Sequence, residues 1–208
     1  MATTTRARSA RADRTAATRR RITDAAAPLF VESGYLDTTM AGLAKAAGVA
    51  VQTLYLSFGS KAAVLEGALA GAAEDHPSGW LEQLAGEPDG TVALARYVAQ
   101  AAVVLERQHP LAAVLRAAAA DPEPADLLVR TRAAALAQHA AAIDELAEKP
   151  GFTLQITVAR ATEIMATLLS AEAFGLLVVE HSWAAADWAD WTNRHLAADL
   201  FPTVSEQG

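Results

Sequence analysis

The chain of 208 residues carries a net charge of −7, is 52% apolar and rich in alanine, and contains no cysteine. That length allows one or two domains with a substantial core. The missing thiols exclude disulfides, thiolate metal sites and cysteine nucleophiles, and suit a reducing cytoplasm. No apolar stretch follows the N-terminal arginines, so no secretory signal is expected. Alanine favours helices, and strict apolar–polar alternation is hard to find, so an all-α fold is expected.

Charge is unevenly spread. Residues 1–61 hold nine Lys and Arg against four Asp and Glu, a net +5; residues 62–208 hold eight against twenty, a net −12. A basic N-terminal portion on an acidic body directs the first part toward a polyanion. A solvated arm without a partner is the alternative.

Residues 1–14, MATTTRARSARADR, lack periodicity and read as an unordered basic arm that could reach a minor groove. A helix is expected from Thr15, with Ile22, Ala25, Ala26, Leu29 and Phe30 on one stripe and Gly34 as its left-handed stop. Pro28 inside it predicts a local kink. Thr38 or Thr39 offers an N-cap for a second helix, Met40 to Ala47, which Gly48 ends. A third helix, Val51 to Phe58, buries Leu54 and Phe58. Ser60 caps a fourth.

Two short helices joined by a glycine turn form a helix-turn-helix, whose second helix enters the major groove. With Leu54 and Phe58 buried, Val51, Gln52 and Tyr55 stand on the opposite face. Gln52 can pair with adenine, Val51 and the Thr53 methyl can touch a thymine methyl, and Tyr55 and Lys61 can hold phosphates. A plain helical hairpin is the alternative on spacing alone.

The run FVESGYLDTTMAGLAKAAGVAVQTLYLSFGSKAAVL closely resembles the N-terminal domain of the TetR/AcrR family of transcriptional regulators. The resemblance covers roughly Arg20 to Leu65, with Phe30, Gly34, Thr38, Thr39, Leu43, Ala44, Ala47, Gly48, Val49, Thr53, Leu54, Tyr55, Phe58 and Lys61 at the family's spacing. It implies that the helix holding Gln52, Thr53 and Tyr55 is the recognition helix, that Tyr55 and Lys61 contact the phosphate backbone, and that Thr39 begins the helix-turn-helix. Ala50 departs from the Ser or Thr often found there, which removes an N-cap typically worth about 1 kcal/mol.

Three segments are therefore expected: the arm at 1–14, a DNA-binding domain at 15–61, and a helical ligand-binding and dimerisation domain at 62–208. In the last, helices are predicted at Gly90–Gln108, Pro110–Ala120, Glu123–Ala147, Thr153–His181 and Asp187–Leu200. The most apolar run, around Ile164 to Val179, is interrupted by Ser170 and Glu172 and falls short of a bilayer span, so no membrane partner is expected. Apolar residues wrap most of the way round that helix, and Trp188, Trp191 and His195 form a stripe on the next. Leu169, Leu177, Trp188, Trp191 and His195 are thus expected at a homodimer interface; the family's dimers pair their last two long helices similarly, and a monomer with a large core is the alternative.

Tyr97, His109, Arg116, His139 and Glu163, with Phe152 and Phe174 as walls, are the expected lining of a pocket for a small apolar or amphipathic effector. No HExxH-type spacing links the five histidines and Glu163 has no nearby carboxylate partner, so no metal, cofactor or enzymatic activity is expected. The expected function is a cytoplasmic, dimeric repressor on a palindromic operator in double-stranded DNA, released by its effector. A regulator without a ligand, an activator, an all-α enzyme and a protein-interaction scaffold are the competing readings.

Overall fold

The computed structural model describes residues 2–73 and 79–202, with side chains from residue 14 onward. Every regular element among them is helical: α1 (Ala2–Asp37), α2 (Met40–Ala46), α3 (Val51–Phe58), α4 (Lys61–Ala73), α5 (Trp80–Gly86), α6 (Gly90–Ala117), α7 (Pro122–Ala147), α8 (Val158–Leu168), α9 (Ala171–Phe174), a π-helical segment (Gly175–Glu180) and α10 (Ala185–Leu200). The chain divides into two compact units, one formed by residues 1–74 and 110–128, the other by 75–109 and 129–208. The first unit takes in α4 and residues 110–128 as well as the segment 15–61, because all of them share one core.

That first core is built on the predicted stripe. Ile22, Ala26 and Phe30 of α1 are buried with Leu43 and Ala44 of α2, Leu54 of α3, Val64 and Leu65 of α4, and Leu111, Leu115 and Leu127. α1 starts at Ala2 rather than Thr15 and takes in most of the segment expected to be an unordered arm. Ala and Arg, which fill that segment, are both good helix formers. The side chains of Arg6, Arg8 and Arg11 lie outside the described residues.

The helix passes through Pro28 with helical φ and ψ and departs from them at Gly34, where φ is 75°. No break is needed at Pro28, since it and Asp24, whose carbonyl loses its partner, both lie on the exposed face where water can serve. At Gly34 a side chain would strain the left-handed backbone, so the stop falls at the expected residue.

The second core gathers Leu94, Tyr97 and Val98 of α6, Ile143 and Leu146 of α7, Ala161 and Met165 of α8, Phe174, and Trp188, Leu196 and Leu200 of α10. Here the elements differ more from expectation. α6 runs on through exposed Pro110, where a restart is predicted. α5 is an unpredicted seven-residue helix between two turn signals, too short to show a periodic stripe. The single helix expected at Thr153–His181 starts only at Val158, N-capped by the Thr157 hydroxyl, and breaks at Ser170, whose own hydroxyl caps α9. Beyond Phe174 the backbone widens into the π-helical segment, with His181 N–H donating to the Leu176 carbonyl five residues back. The stretch Val158–Glu180 has a mean hydropathy of 1.6 over its most apolar window and is, by length and composition, sufficient to cross a bilayer, contrary to expectation. In this fold Ala161, Met165, Leu169 and Phe174 are buried in the core, Ile164, Leu168, Leu177 and Val178 pack partly buried against it, and Val158, Leu176 and Val179 are exposed.

Candidate nucleic-acid interface

α2 opens with Thr39, whose hydroxyl oxygen accepts from the Gly42 N–H at 3.0 Å. The Thr39 hydroxyl proton stays on the exposed side, available to an outside acceptor. α2 ends at a turn through Gly48, with φ 62°. α3 follows with Ala50 at its N-cap and no side-chain bond there, as the missing hydroxyl requires. Leu54 is fully buried and Phe58 half-buried, which fixes the rotation of α3. The opposite face presents Val51, Gln52, Tyr55 and Leu56; Tyr55 is 50% exposed and Leu56 82%. Thr53 sits half-buried at the edge. Thr39, Val51, Gln52 and Tyr55 therefore face outward, with Thr53 half-buried beside them.

Lys61 does not. Its ammonium turns inward and donates to the carbonyls of Tyr35 at 2.6 Å, Thr38 at 2.8 Å and Leu36 at 3.3 Å. It also lies 4.2 Å from the centre of the Tyr35 ring. Burial lowers its pKa, while the carboxylates of Asp121, Glu123 and Asp37 pull it back upward. An ammonium has three donors, and all three are committed to the peptide groups that follow Gly34. The ammonium thus clamps the start of α4 to the α1–α2 junction, where a phosphate contact was expected of it. The Tyr35 hydroxyl in turn donates to Glu123 at 3.4 Å, and its pKa is pushed up to about 12, chiefly by burial and next by the Glu123 charge.

Two residues of this surface escape a reading of the sequence by motif. Arg19 places its guanidinium 4.0 Å over the Phe58 ring and donates to the Ser57 carbonyl, holding the far end of α3 against α1. Leu56 lies two positions from Leu54 and so on the other side of the helix, a signal available from helical geometry alone.

In the second unit the predicted pocket residues separate. Tyr97 and His139 do meet, with the Tyr97 oxygen 2.9 Å from His139 Nδ1 in the buried core. Burial pushes the His139 pKa down to about 4 and raises that of Tyr97, so a neutral phenol and a neutral imidazole share this hydrogen bond. Tyr97 also lines a cleft of about 460 Å³ with Trp80, Gln83, Leu84, Glu87, Arg96 and Gln100. The Trp80 and Tyr97 rings are 5.5 Å apart, and Arg96 pairs with Glu87 at 2.7 Å across it. Trp80, on the unpredicted α5, is the aromatic wall that sequence reading misses.

The other expected lining residues are elsewhere. Phe174 is buried between His109 and Trp188, and Phe152 packs edge-on against Phe201. Glu163 is exposed on α8 and paired with Arg160 at 3.0 Å, because the buried face of that helix is set by Ala161 and Met165. Arg116 belongs to the first unit.

The expected dimer residues are also re-sorted. Trp188 is wholly buried and Leu169 nearly so, inside the chain's own core, and neither is available to a partner. Leu177 and Trp191 are half-buried and His195 is exposed, its ring 4.4 Å from that of Trp191. Apolar side chains that do face outward are Leu176 (48% exposed), Val179 (57%) and Trp183.

Comparison with known proteins agrees with this geometry. Residues 22–68 match the family of bacterial regulatory proteins of the tetR type. Among solved structures, a TetR-family transcriptional regulator from Rhodococcus sp. superposes with a TM-score of 0.71 at 20% identity, covering 88% of this chain and 99% of its own. NalD, the secondary repressor of the MexAB-OprM multidrug efflux pump in Pseudomonas aeruginosa, gives 0.69 at 19% identity over 91% and 98%. The fatty acid degradation regulator FadR from Bacillus halodurans gives 0.65 at 22% over 85% and 96%. No curated protein matches the sequence. The chain thus has the all-α fold of TetR-type regulators, and its N-terminal unit carries a TetR-family helix-turn-helix.

Proposed function

We propose that the protein is a cytoplasmic homodimer that reads a palindromic operator through α3 and represses transcription until a small amphipathic effector binds. The observation that carries the DNA reading is the rotation of α3, with Leu54 inward and Val51, Gln52 and Tyr55 outward beside Thr39. Exposed Arg20, Arg21 and Lys45 supply the cationic flanks such a surface needs, and the arm at 1–14 adds four arginines before them. Dimerisation is supported by the apolar Leu176, Val179 and Trp183 left outside. The likeness in fold to NalD, the repressor of a multidrug efflux pump, and to FadR, a regulator of fatty acid degradation, supports a regulatory role and, through NalD, repression. The cleft walled by Trp80 and Tyr97 is the effector site this reading favours.

The test is selection of bound duplexes from a random pool by the full-length protein. An inverted repeat with half-sites about one helical turn apart is expected, with binding that falls steeply with salt. Gln52→Ala should relax preference at one position per half-site. Recovery of unrelated sequences with no shared repeat would refute the reading.

A further inference from the structure

The outward face of α3 has an unusual chemistry for a surface expected to meet a polyanion. Its eight residues, VQTLYLSF, include no charged side chain. Leu56 is 82% exposed, more than any other large apolar residue described in the first unit. It follows Gln52 by four positions, so the two share one strip of the helix surface, directly opposite Leu54. An isolated leucine held this far into water, in the middle of a well-defined helix, gains nothing from its own fold: its neighbours on the face are Gln52 and Tyr55, and the core of the unit is closed without it.

We infer that Leu56 is a specificity residue that seats against a thymine methyl group in the major groove, one helical turn beyond the adenine edge taken by Gln52. The 5-methyl of thymine is the apolar feature of base-pair edges in that groove, and aliphatic side chains read it by contact. The surroundings favour DNA over a protein partner. A protein groove would need a contiguous apolar patch, whereas Leu56 shares its face with an amide and a phenol, and the same unit carries exposed Arg20, Arg21 and Lys45. With no cation on α3 to bind guanine or phosphate, discrimination by this helix falls to one amide, one phenol and aliphatic contacts, which selects A·T pairs. Sequence reading assigns methyl contacts to Val51 and Thr53; Val51 is half as exposed as Leu56, and Thr53 lies at the edge of the face.

The inference rests on α3 being the recognition helix, and the experiment separates the two. In the duplex selected by the full-length wild type, each thymine of one half-site is replaced in turn by uracil, which has the same pairing edge without the methyl. At one position the wild type should bind the uracil duplex about fourfold more weakly, the value of one buried methyl group. Leu56→Ala should bind the thymine and uracil duplexes equally at that position, and Leu56→Met, which keeps apolar reach, should retain the preference. Circular dichroism should be unchanged in both variants, since Leu56 is outside the core. Failure to select any shared sequence would fall on the functional reading. A selected operator with no position sensitive to uracil, or with the same sensitivity in Leu56→Ala, would overturn the role of Leu56. So would complete loss of binding by a folded Leu56→Ala, which a single methyl contact cannot account for.

Discussion

Replacing Lys61 by methionine keeps the aliphatic stem and removes the ammonium. Three carbonyls, those of Tyr35, Leu36 and Thr38, then lose their donor, two of them at distances of 2.6 and 2.8 Å. A hydrogen bond to a charged group is worth about 1.5–3 kcal/mol when well made and buried. Lys61 is only half-buried and water can reach part of the junction, so the net loss is set at about 2–3 kcal/mol for the whole clamp. For a separately melting unit the size of the first, that corresponds to a fall in its Tm of about 8–24 °C. All four tryptophans, at 80, 183, 188 and 191, belong to the second unit. Melting followed by circular dichroism should therefore show an earlier transition that tryptophan fluorescence does not report. The slope of log affinity against log salt for DNA should stay the same, whereas a lost phosphate contact would reduce it by about 0.9. An unchanged melt together with a reduced slope would refute the clamp and return Lys61 to the phosphate backbone.

Three further outcomes are expected. Ala50→Ser supplies the cap that α3 lacks and should stabilise it by about 1 kcal/mol, read as slower amide exchange in residues 51–58. His139 is held neutral, with its pKa lowered to about 4 from 6.5. Its contribution is therefore complete above pH 6.5 and declines as pH falls toward 4, by about 3 kcal/mol in all; denaturant titrations of His139→Gln should show a flatter pH dependence over that window. Leu176→Glu or Val179→Glu should give a folded monomer by light scattering, while Trp188→Glu should unfold the second unit, and a wild type that is monomeric at micromolar concentration would remove the proposed interface.

The first unit was largely legible because its punctuation is chemical. Gly34 and Gly48 take left-handed backbone, Thr39 and Ser60 cap helices with their hydroxyls, and α3 spans the predicted residues. The inward turn of Lys61 was not legible, since a lysine next to a phosphate-binding surface and a lysine capping three carbonyls have the same sequence neighbours. In the second unit the apolar pattern located the long helices, missed α5 and the break at Ser170, and did not give the faces. A helix apolar nearly all round does not reveal which side meets its own chain, and so Trp188 and Leu169 read as interface when they are core. Glu163 failed for a related reason: its place on α8 depends on Ala161 and Met165 being inward, and alanine carries too little apolar weight to mark a face.

The π-helical turn at Gly175–Glu180 sets the rotation of the side chains that follow it. A single extra residue in a helix advances the side chains that follow by about 100° without redirecting the axis greatly. Removing one residue here would leave Phe174 in place and carry the residues beyond the deletion a quarter-turn round the helix. The rotation would move Leu177 and Val178, which pack against the core, together with exposed Leu176 and Val179, so the length of this segment sets the inner and the outer face of the chain at once.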